Sequence, residues 1–266
     1  MHEIDLNKKD LRTDLILEKQ YKNLESKTTK YKDIEIITTK YKNNNYTTIY
    51  FNDATDKDNY LNLEKVLIKE LKKYINIKEN DTILVVGLGN SKSTPDALGP
   101  STIDGILVTR HLKLLNVLDK DYSVVSTFKP SVMGTTGIES IDLIKNIIKD
   151  IKATKVIVLD ALKASKIERL VKTIQITDSG IHPGSGINNN RGEVSKNTMK
   201  TDVISIGIPT VVDIKTILES ILEEKIELDE NLILTPTDID YQIEKLSKLL
   251  SISINKTLHK KLYPTK

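Results

Sequence analysis

The chain has 266 residues, 40 of them Lys or Arg against 37 Asp or Glu, for a formal net charge of +3. That length buries a sizeable core as one large domain or two small ones, and so small a charge gives no argument for a nucleic-acid or membrane-surface partner. Cysteine is absent, which excludes disulfides, thiolate catalysis and Cys-ligated zinc or iron–sulfur sites.

No run approaches the ~18 uninterrupted apolar residues of a membrane helix. The charged start MHEIDLNKKD lacks the apolar region of a secretory signal. Residues 1–30 are polar, with a loose helical pattern from Leu11 to Leu24. Residues 33–38 (DIEIIT) and 46–51 (YTTIYF) are strand-like, and the turn-forming 42–45 between them predicts a small N-terminal hairpin. Thr55 and Asp58 predict a capping box, opening an amphipathic helix with Leu63, Val66, Leu67, Leu71, Tyr74 and Ile75 on one face.

From here short apolar runs alternate with helical segments. Strands are predicted at 83–86, 123–127, 156–159, 171–176 and 203–206. Helices are predicted from Ala97 to about Leu115, from a Thr136–Glu139 capping box to about Ile151, and over 214–222. Thr235-Pro236-Thr237-Asp238 reads as an N-cap, a proline at the first helical position and an acid in the first turn. The helix it opens carries Ile239, Ile243, Leu246, Leu250, Ile254 and Leu258 at helical spacing. The pattern predicts an α/β fold, a mainly parallel doubly wound sheet with helices on both faces, plus the N-terminal hairpin element.

In such sheets ligands bind beyond the carboxyl ends of the strands. The first parallel strand runs into Gly87-Leu88-Gly89-Asn90 and then Thr94-Pro95-Asp96-Ala97-Leu98-Gly99-Pro100. The third ends in Asp160. The last leads into GIPTVVD (207–213), and Asp178–Gly186 holds His182 and Gly184. Gly87-x-Gly89 lacks the third glycine of a dinucleotide fingerprint, since that position is Lys92, so it reads as a tight turn.

Asp96 alone reads as an acid favoured by a helix N-terminus. Asp160 alone reads equally as a hydrogen-bonded anchor or a catalytic group. Together they can divide acid and base roles, because like charges a few ångströms apart do not both ionise easily. One carboxylate then activates water while its protonated partner hydrogen-bonds a substrate carbonyl, which is peptide hydrolysis without a covalent intermediate. His182 reads as a metal ligand, a substrate contact or a turn residue, and with Asp96 and Asp160 it offers an O,O,N ligand set. No H-E-x-x-H motif is present. His111 reads as a position on an amphipathic helix and His259 as a surface position. Ser126 and Ser185 sit in no G-x-S-x-G elbow.

VVGLGNSKSTPDALGP (85–100), VTRHL (108–112), SVMGTTGIES (131–140), VIVLDAL (156–162), TIQITDSGIHPGSG (173–186), IGIPTVVD (206–213) and the segment 234–259 together resemble the germination protease family. The resemblance implies an endopeptidase that degrades small acid-soluble spore proteins in germination. It implies a zymogen that removes its own propeptide, a homotetramer, and a cytoplasmic location in the forespore and spore core. No cofactor, membrane or direct nucleic-acid partner is implied. Family cuts follow an acidic residue and precede an apolar one. Arg12–Glu18 fits that pattern, so processing is expected between Asp14 and Leu15, with 1–14 as propeptide and 15–266 as a single peptidase domain.

By motif, the family's proposed catalytic aspartates fall on Asp96 and Asp160, with Asn90, His182 and Gly184 at the rim as substrate-binding or rim residues. The family also resembles the hydrogenase-maturation peptidases, which share the G-x-G-N start, a related fold and a metal. A metal-dependent variant would use Asp96, Asp160 and His182; a further alternative is a paralogue that binds spore proteins without cleaving them. The chain departs from the family pattern at Ser91, Ser131 and Ser165, and in a short connection over 223–231.

Overall fold

Alternating β-branched residues and tight reversals shape the first part of the computed structural model, which describes residues 25–164, 166–182, 192–222, 226 and 232–262. The Leu11–Leu24 pattern, the Asp14–Leu15 bond, Ser165, Gly184, Ser185 and most of 223–231 lie outside the described residues. Strands β1 (Glu25–Tyr31), β2 (Ile34–Tyr41) and β3 (Asn44–Tyr50) form an antiparallel meander. Its turns place Lys32 and Lys42 at φ 53° each, in the left-handed region. The predicted hairpin is thus β2–β3, extended by β1, whose ESKTTKY sequence shows no alternation because residues 26–31 are exposed throughout.

Helix α1 (Lys57–Ile75) is capped by Asp56, whose carboxylate accepts the Asn59 N–H at 2.9 Å. The predicted Thr55–Asp58 box does not form, because Thr55 donates both its N–H and its hydroxyl to Asp53 at 2.7 Å. Those two bonds, the hydroxyl's first, hold the Asp53 carboxyl below its ordinary range. Leu63, Leu67, Leu71 and Ile75 make the buried stripe of α1.

Strand β4 (Thr82–Gly87) is followed by a short 3-10 turn over Thr94–Asp96 and by α2 (Leu98–Asp104). The helix predicted to reach Leu115 breaks at Gly105 and resumes as α3 (Arg110–Leu114). A Cβ at residue 105 would lie 2.5 Å from the Ser251 hydroxyl of the C-terminal helix. Between the two pieces Thr109 donates its hydroxyl to the Ser123 carbonyl at 2.5 Å and accepts the Val125 N–H at 2.9 Å, which ties this segment to β5 (Val124–Phe128). The turn α4 (Met133–Thr136) ends at Gly137 with φ 71°. Helix α5 (Ser140–Ile151) begins with Glu139 at its cap position, so the Thr136–Glu139 box is also absent; Thr136 engages the Val132 and Ile138 carbonyls instead.

The rest of the chain adds β6 (Lys155–Ala164), β7 (Thr173–Thr177), α6 (Lys196–Met199), β8 (Asp202–Asp213), α7 (Ile214–Leu222), β9 (Ile233–Leu234) and α8 (Ile239–Leu258). Helix α8 starts after the predicted Thr235 cap, with Asp238 at its cap position and the Pro236 carbonyl closing the turn onto the Ile239 N–H at 3.1 Å.

Among the described residues the strands form one sheet in the order β1-β2-β3-β7-β8-β6-β4-β5, with β9 beside β8. Strands β5, β4, β6 and β8 are parallel neighbours, and β7, β3, β2 and β1 continue antiparallel. One face packs Ile83, Val85, Ile157, Leu159, Ile204 and Ile206 with residues of α1, α2 and α8. The other packs Leu84, Val86, Val156, Val158 and Val203 with Ile144, Ile148 and Met199 of α5 and α6. Helices therefore cover both faces, as predicted, and the antiparallel wing reaches further than a hairpin. Among the described residues no helix is long and apolar enough to cross a membrane.

His259, read as a surface residue, is fully buried at the end of α8. Its Nε2 lies 3.3 Å from the Leu107 carbonyl, and its ring stands 5.3 Å from Tyr122 at a 48° tilt. Nδ1 has no hydrogen-bond partner, and burial holds the imidazole below its ordinary value of 6.5. The folded ring thus stays neutral where the unfolded one takes up a proton. His259 therefore supports the fold fully above pH 6.5 and progressively less below it. Thermal unfolding followed by circular dichroism should show the midpoint falling from pH 7.5 to 5.5. His259→Gln should flatten that fall while lowering the midpoint at pH 7.5.

Candidate functional site

The parallel half of the sheet locates the site. From β4 the chain crosses to β5 on one side, then returns to β6 and β8 on the other. The connections leaving β4 and β6 therefore diverge, and a crevice opens between the two carboxyl ends. Gly87, the last residue of β4, is level with Leu159 of β6, so Asp160 stands one residue beyond the end of β4. A cleft of about 360 Å³ opens there, with Asn90, Asp96 and Asp160 among its lining residues.

Asp96 reaches the cleft on a loop fixed by its own backbone. Leu88 donates its N–H to the Leu159 carbonyl at 2.8 Å, which pins the chain to β6 as it leaves β4. Asn90 donates its N–H to the Asp96 carbonyl at 3.1 Å, and Asp96 donates its own to the Ser93 carbonyl at 2.8 Å. The Asn90 side-chain oxygen accepts the Lys92 N–H at 3.0 Å, closing the turn from inside. Both peptide groups flanking the Asp96 Cα are thereby held.

Gly89 sits at φ +110°, and a Cβ there would lie 2.1 Å from the Asp96 carbonyl oxygen. A Cβ on Gly99 would lie 2.3 Å from the Leu88 carbonyl oxygen and 2.8 Å from that of Leu159. The glycines of GLGN and ALGP are thus packing residues that let backbone meet backbone.

Asp160 is 5% exposed and lies inside a strand, opposite Gly207 of β8. Its Oδ1 accepts the Ala161 N–H at 3.0 Å. The predicted end of this strand at Leu159 is corrected: β6 and β8 continue in parallel to Ala164 and Asp213, with an irregularity between Leu162 and Lys163. This two-stranded ribbon projects past β4 and supplies Ala161, Leu162, Lys163, Thr210 and Val211 to the cleft wall. Asp160 is therefore set in the floor of a ribbon and not on a flexible strand end.

One wall residue, Lys163, escaped the reading of the sequence, and another, Thr210, entered it only as part of the rim segment 207–213. Lys163 lines the cleft and pairs with Asp213 at 2.8 Å. Thr210 also lines it, is 1% exposed, and has no hydrogen-bond partner for its hydroxyl. The β-branched run through Ile206, Ile208, Thr210, Val211 and Val212 was the available signal, masked by Gly207 and Pro209.

His182 is half-buried, follows the isolated bridge between Ile181 and Val194, and is not among the described residues lining the cleft. Its loop leaves β7 through Asp178, whose carboxylate accepts the Asn45 N–H and side-chain amide at 2.7 Å each. Among the described residues no group of three or more His, Asp or Glu side chains is placed to hold a metal ion, so Asp96, Asp160 and His182 do not converge as one.

The fold and the cleft define an α/β protein with two aspartates at the switch point of a parallel sheet. A family model described as germination protease matches residues 2–226, and the chain belongs to that family. A germination protease of Geobacillus sp. (strain WCH70) is 45% identical over 186 residues, covering 67% of this chain and 50% of that protein. One of Clostridium tetani (strain Massachusetts / E88) is 36% identical over 249 residues, covering 79% and 77%. One of Bacillus subtilis (strain 168) is 52% identical over 145 residues, covering 54% and 39%. The chain thus spans about half or less of two of these relatives and about three quarters of the third. A solved structure of the NiFe hydrogenase maturation protease HycI from Thermococcus kodakarensis KOD1 is similar at 16% identity and a TM-score of 0.40, over 70% of this chain and 99% of that one.

The glycine contacts are testable. Gly89→Ala and Gly99→Ala should each destabilise the protein by about 2 kcal/mol or more, from backbone strain and overpacking. Gly134→Ala, where a Cβ meets nothing within 4 Å, should stay within about 0.5 kcal/mol of wild type. Urea unfolding midpoints read all three.

Proposed function

We propose that this chain is an endopeptidase that cuts small acid-soluble spore proteins during germination. The observation that carries the reading is that Asp96 and Asp160 line one cleft at the sheet's switch point. Membership of the germination protease family supplies the substrate class.

In the proposed reaction a peptide lies across the cleft with its scissile carbonyl between the two aspartates. One carboxylate is ionised and takes a proton from a water molecule. The water oxygen attacks the carbonyl carbon, while the other carboxyl donates its proton to the carbonyl oxygen. Collapse of the tetrahedral intermediate breaks the C–N bond, the first aspartate passes its proton to the leaving amine, and the second takes a proton back from a hydroxyl of the intermediate as the new carboxyl group forms. Asn90 acts at one remove, by fixing the loop that carries Asp96. His182 and Gly184 belong in this reading to the rim and not to the chemistry. No step of the proposed reaction is routed through a metal.

The same chemistry, acting on the chain itself, would release residues 1–14 by cutting between Asp14 and Leu15 and leave a single peptidase domain. Assembly as a homotetramer and action in the spore core complete the proposal.

The test uses the form beginning at Leu15, incubated with a small acid-soluble spore protein in EDTA and read by mass spectrometry. Cleavage after one acidic residue supports the reading. An intact substrate, in EDTA and with divalent metals alike, refutes it and favours a paralogue that binds without cutting. Asp96→Asn and Asp160→Asn should each reduce cleavage and self-processing by at least ~100-fold, the scale of lost acid–base catalysis, with the far-ultraviolet spectrum unchanged. His182→Ala should have a much smaller effect.

A further inference from the structure

The two aspartates create an electrostatic problem for any substrate that carries an acid beside the scissile bond. A carboxylate approaching Asp96 and Asp160 meets like charge in a confined cleft, where screening by water is weak. Among the described lining residues the charged side chains are Asp96, Asp160 and Lys163, so Lys163 is the one cation. It sits on the projecting ribbon, three residues past Asp160.

The Lys163 ammonium meets Asp213 at 2.8 Å, with 22% of the lysine side chain and 29% of the aspartate exposed. An ammonium has three donors, and one partner leaves others to offer. A partly exposed pair of this kind adds little to stability, so drawing the ammonium toward a second carboxylate costs the fold little. The pair is thus suited to hold the lysine extended at the wall while leaving it able to bind.

We propose that Lys163, steadied by Asp213, is the specificity residue that binds an acidic side chain of the substrate beside the scissile bond. This inference rests on the peptidase reading of the cleft and names the group that selects its substrates. Lys163 is a binding residue here and takes no part in the proton transfers. A bound carboxylate displaces water from the ammonium and shares it with Asp213. An amide in its place offers a weaker acceptor.

The test is a binding measurement, separate from turnover. A fluorescent peptide spans Arg12–Glu18 with a hydroxyethylene group replacing the Asp14–Leu15 amide, so that it cannot be cut. Its twin carries Asp14→Asn. Both are titrated into the full chain by fluorescence polarisation. The Asp14 peptide should bind about tenfold more tightly than the twin, the scale of one hydrogen bond to a charged group. Lys163→Met should bring the ratio close to one, and Lys163→Arg should restore most of it. Asp213→Asn, which removes the group that holds the lysine at the wall, should weaken the Asp14 peptide and leave its twin unchanged.

A merely structural lysine makes a different prediction, that Lys163→Met and Asp213→Asn both weaken binding of the two peptides alike. That result overturns the inference. So does a wild-type chain with no preference for the Asp14 peptide, or a Lys163→Met variant that keeps the preference. Failure of the cleavage assay with the binding ratio intact would instead remove the peptidase reading and leave an acid-selective binding cleft.

Discussion

Two stretches of backbone meet at a separation that admits only hydrogen as a side chain, and the cleft depends on that contact. The segment from Gly87 to Gly99 passes so close to the end of β6 that a Cβ on Gly99 would sit 2.3 Å from one carbonyl oxygen and 2.8 Å from another. The Leu88–Leu159 hydrogen bond marks the crossing. Because β4 and β6 are central and buried on both faces, neither strand can shift to relieve a larger residue. The position of Asp96 is therefore set by main chain against main chain, the stiffest contact a protein offers. Asp160 is set by a sheet register. Two carboxylates arriving by such different routes line one cleft.

The halves of the sheet divide the labour. The parallel half provides the switch point and its crevice. The antiparallel half, β7 with the meander, stacks Ile36, Ile49, Ile174 and Ile176 beneath α1 and widens the core. It also anchors the loop after β7, through the two hydrogen bonds between Asn45 and Asp178. Strand β8 belongs to both halves, pairing parallel with β6 and antiparallel with β7. The ribbon that walls the cleft is the continuation of this shared strand.

Asp96 and Asp160 were legible in the sequence because the four-residue apolar runs before them mark buried parallel strands, and polar residues just beyond such runs fall at one rim. The ends of elements were less legible. Thr55 and Thr136 both carry the cap pattern, yet each hydroxyl is taken by a nearer partner, Asp53 for one and the α4 turn for the other. Gly105 caps the end of a helix, and its lack of a side chain admits Ser251 from 146 positions along the chain, a contact no local pattern holds. The ribbon was hidden because Gly207, Pro209 and Lys163 interrupt its apolar signature, although pairing with a neighbour sustains the strands. His259 looked like an exposed residue near the end of a helix because the residues that bury it, such as Leu107 and Tyr122, lie far away in sequence.

The meander leaves β1 at the margin of the sheet, with no outer neighbour among the described residues. Seven residues of open strand are a template on which another chain could polymerise. Lys27 and Lys30 lie on this strand, both exposed, and Lys32 stands at the reversal that follows. A second copy laid alongside would bring like charges together and strand their hydration in a dry seam. The exposed lysines of this segment thus oppose the pairing of a further strand at that margin.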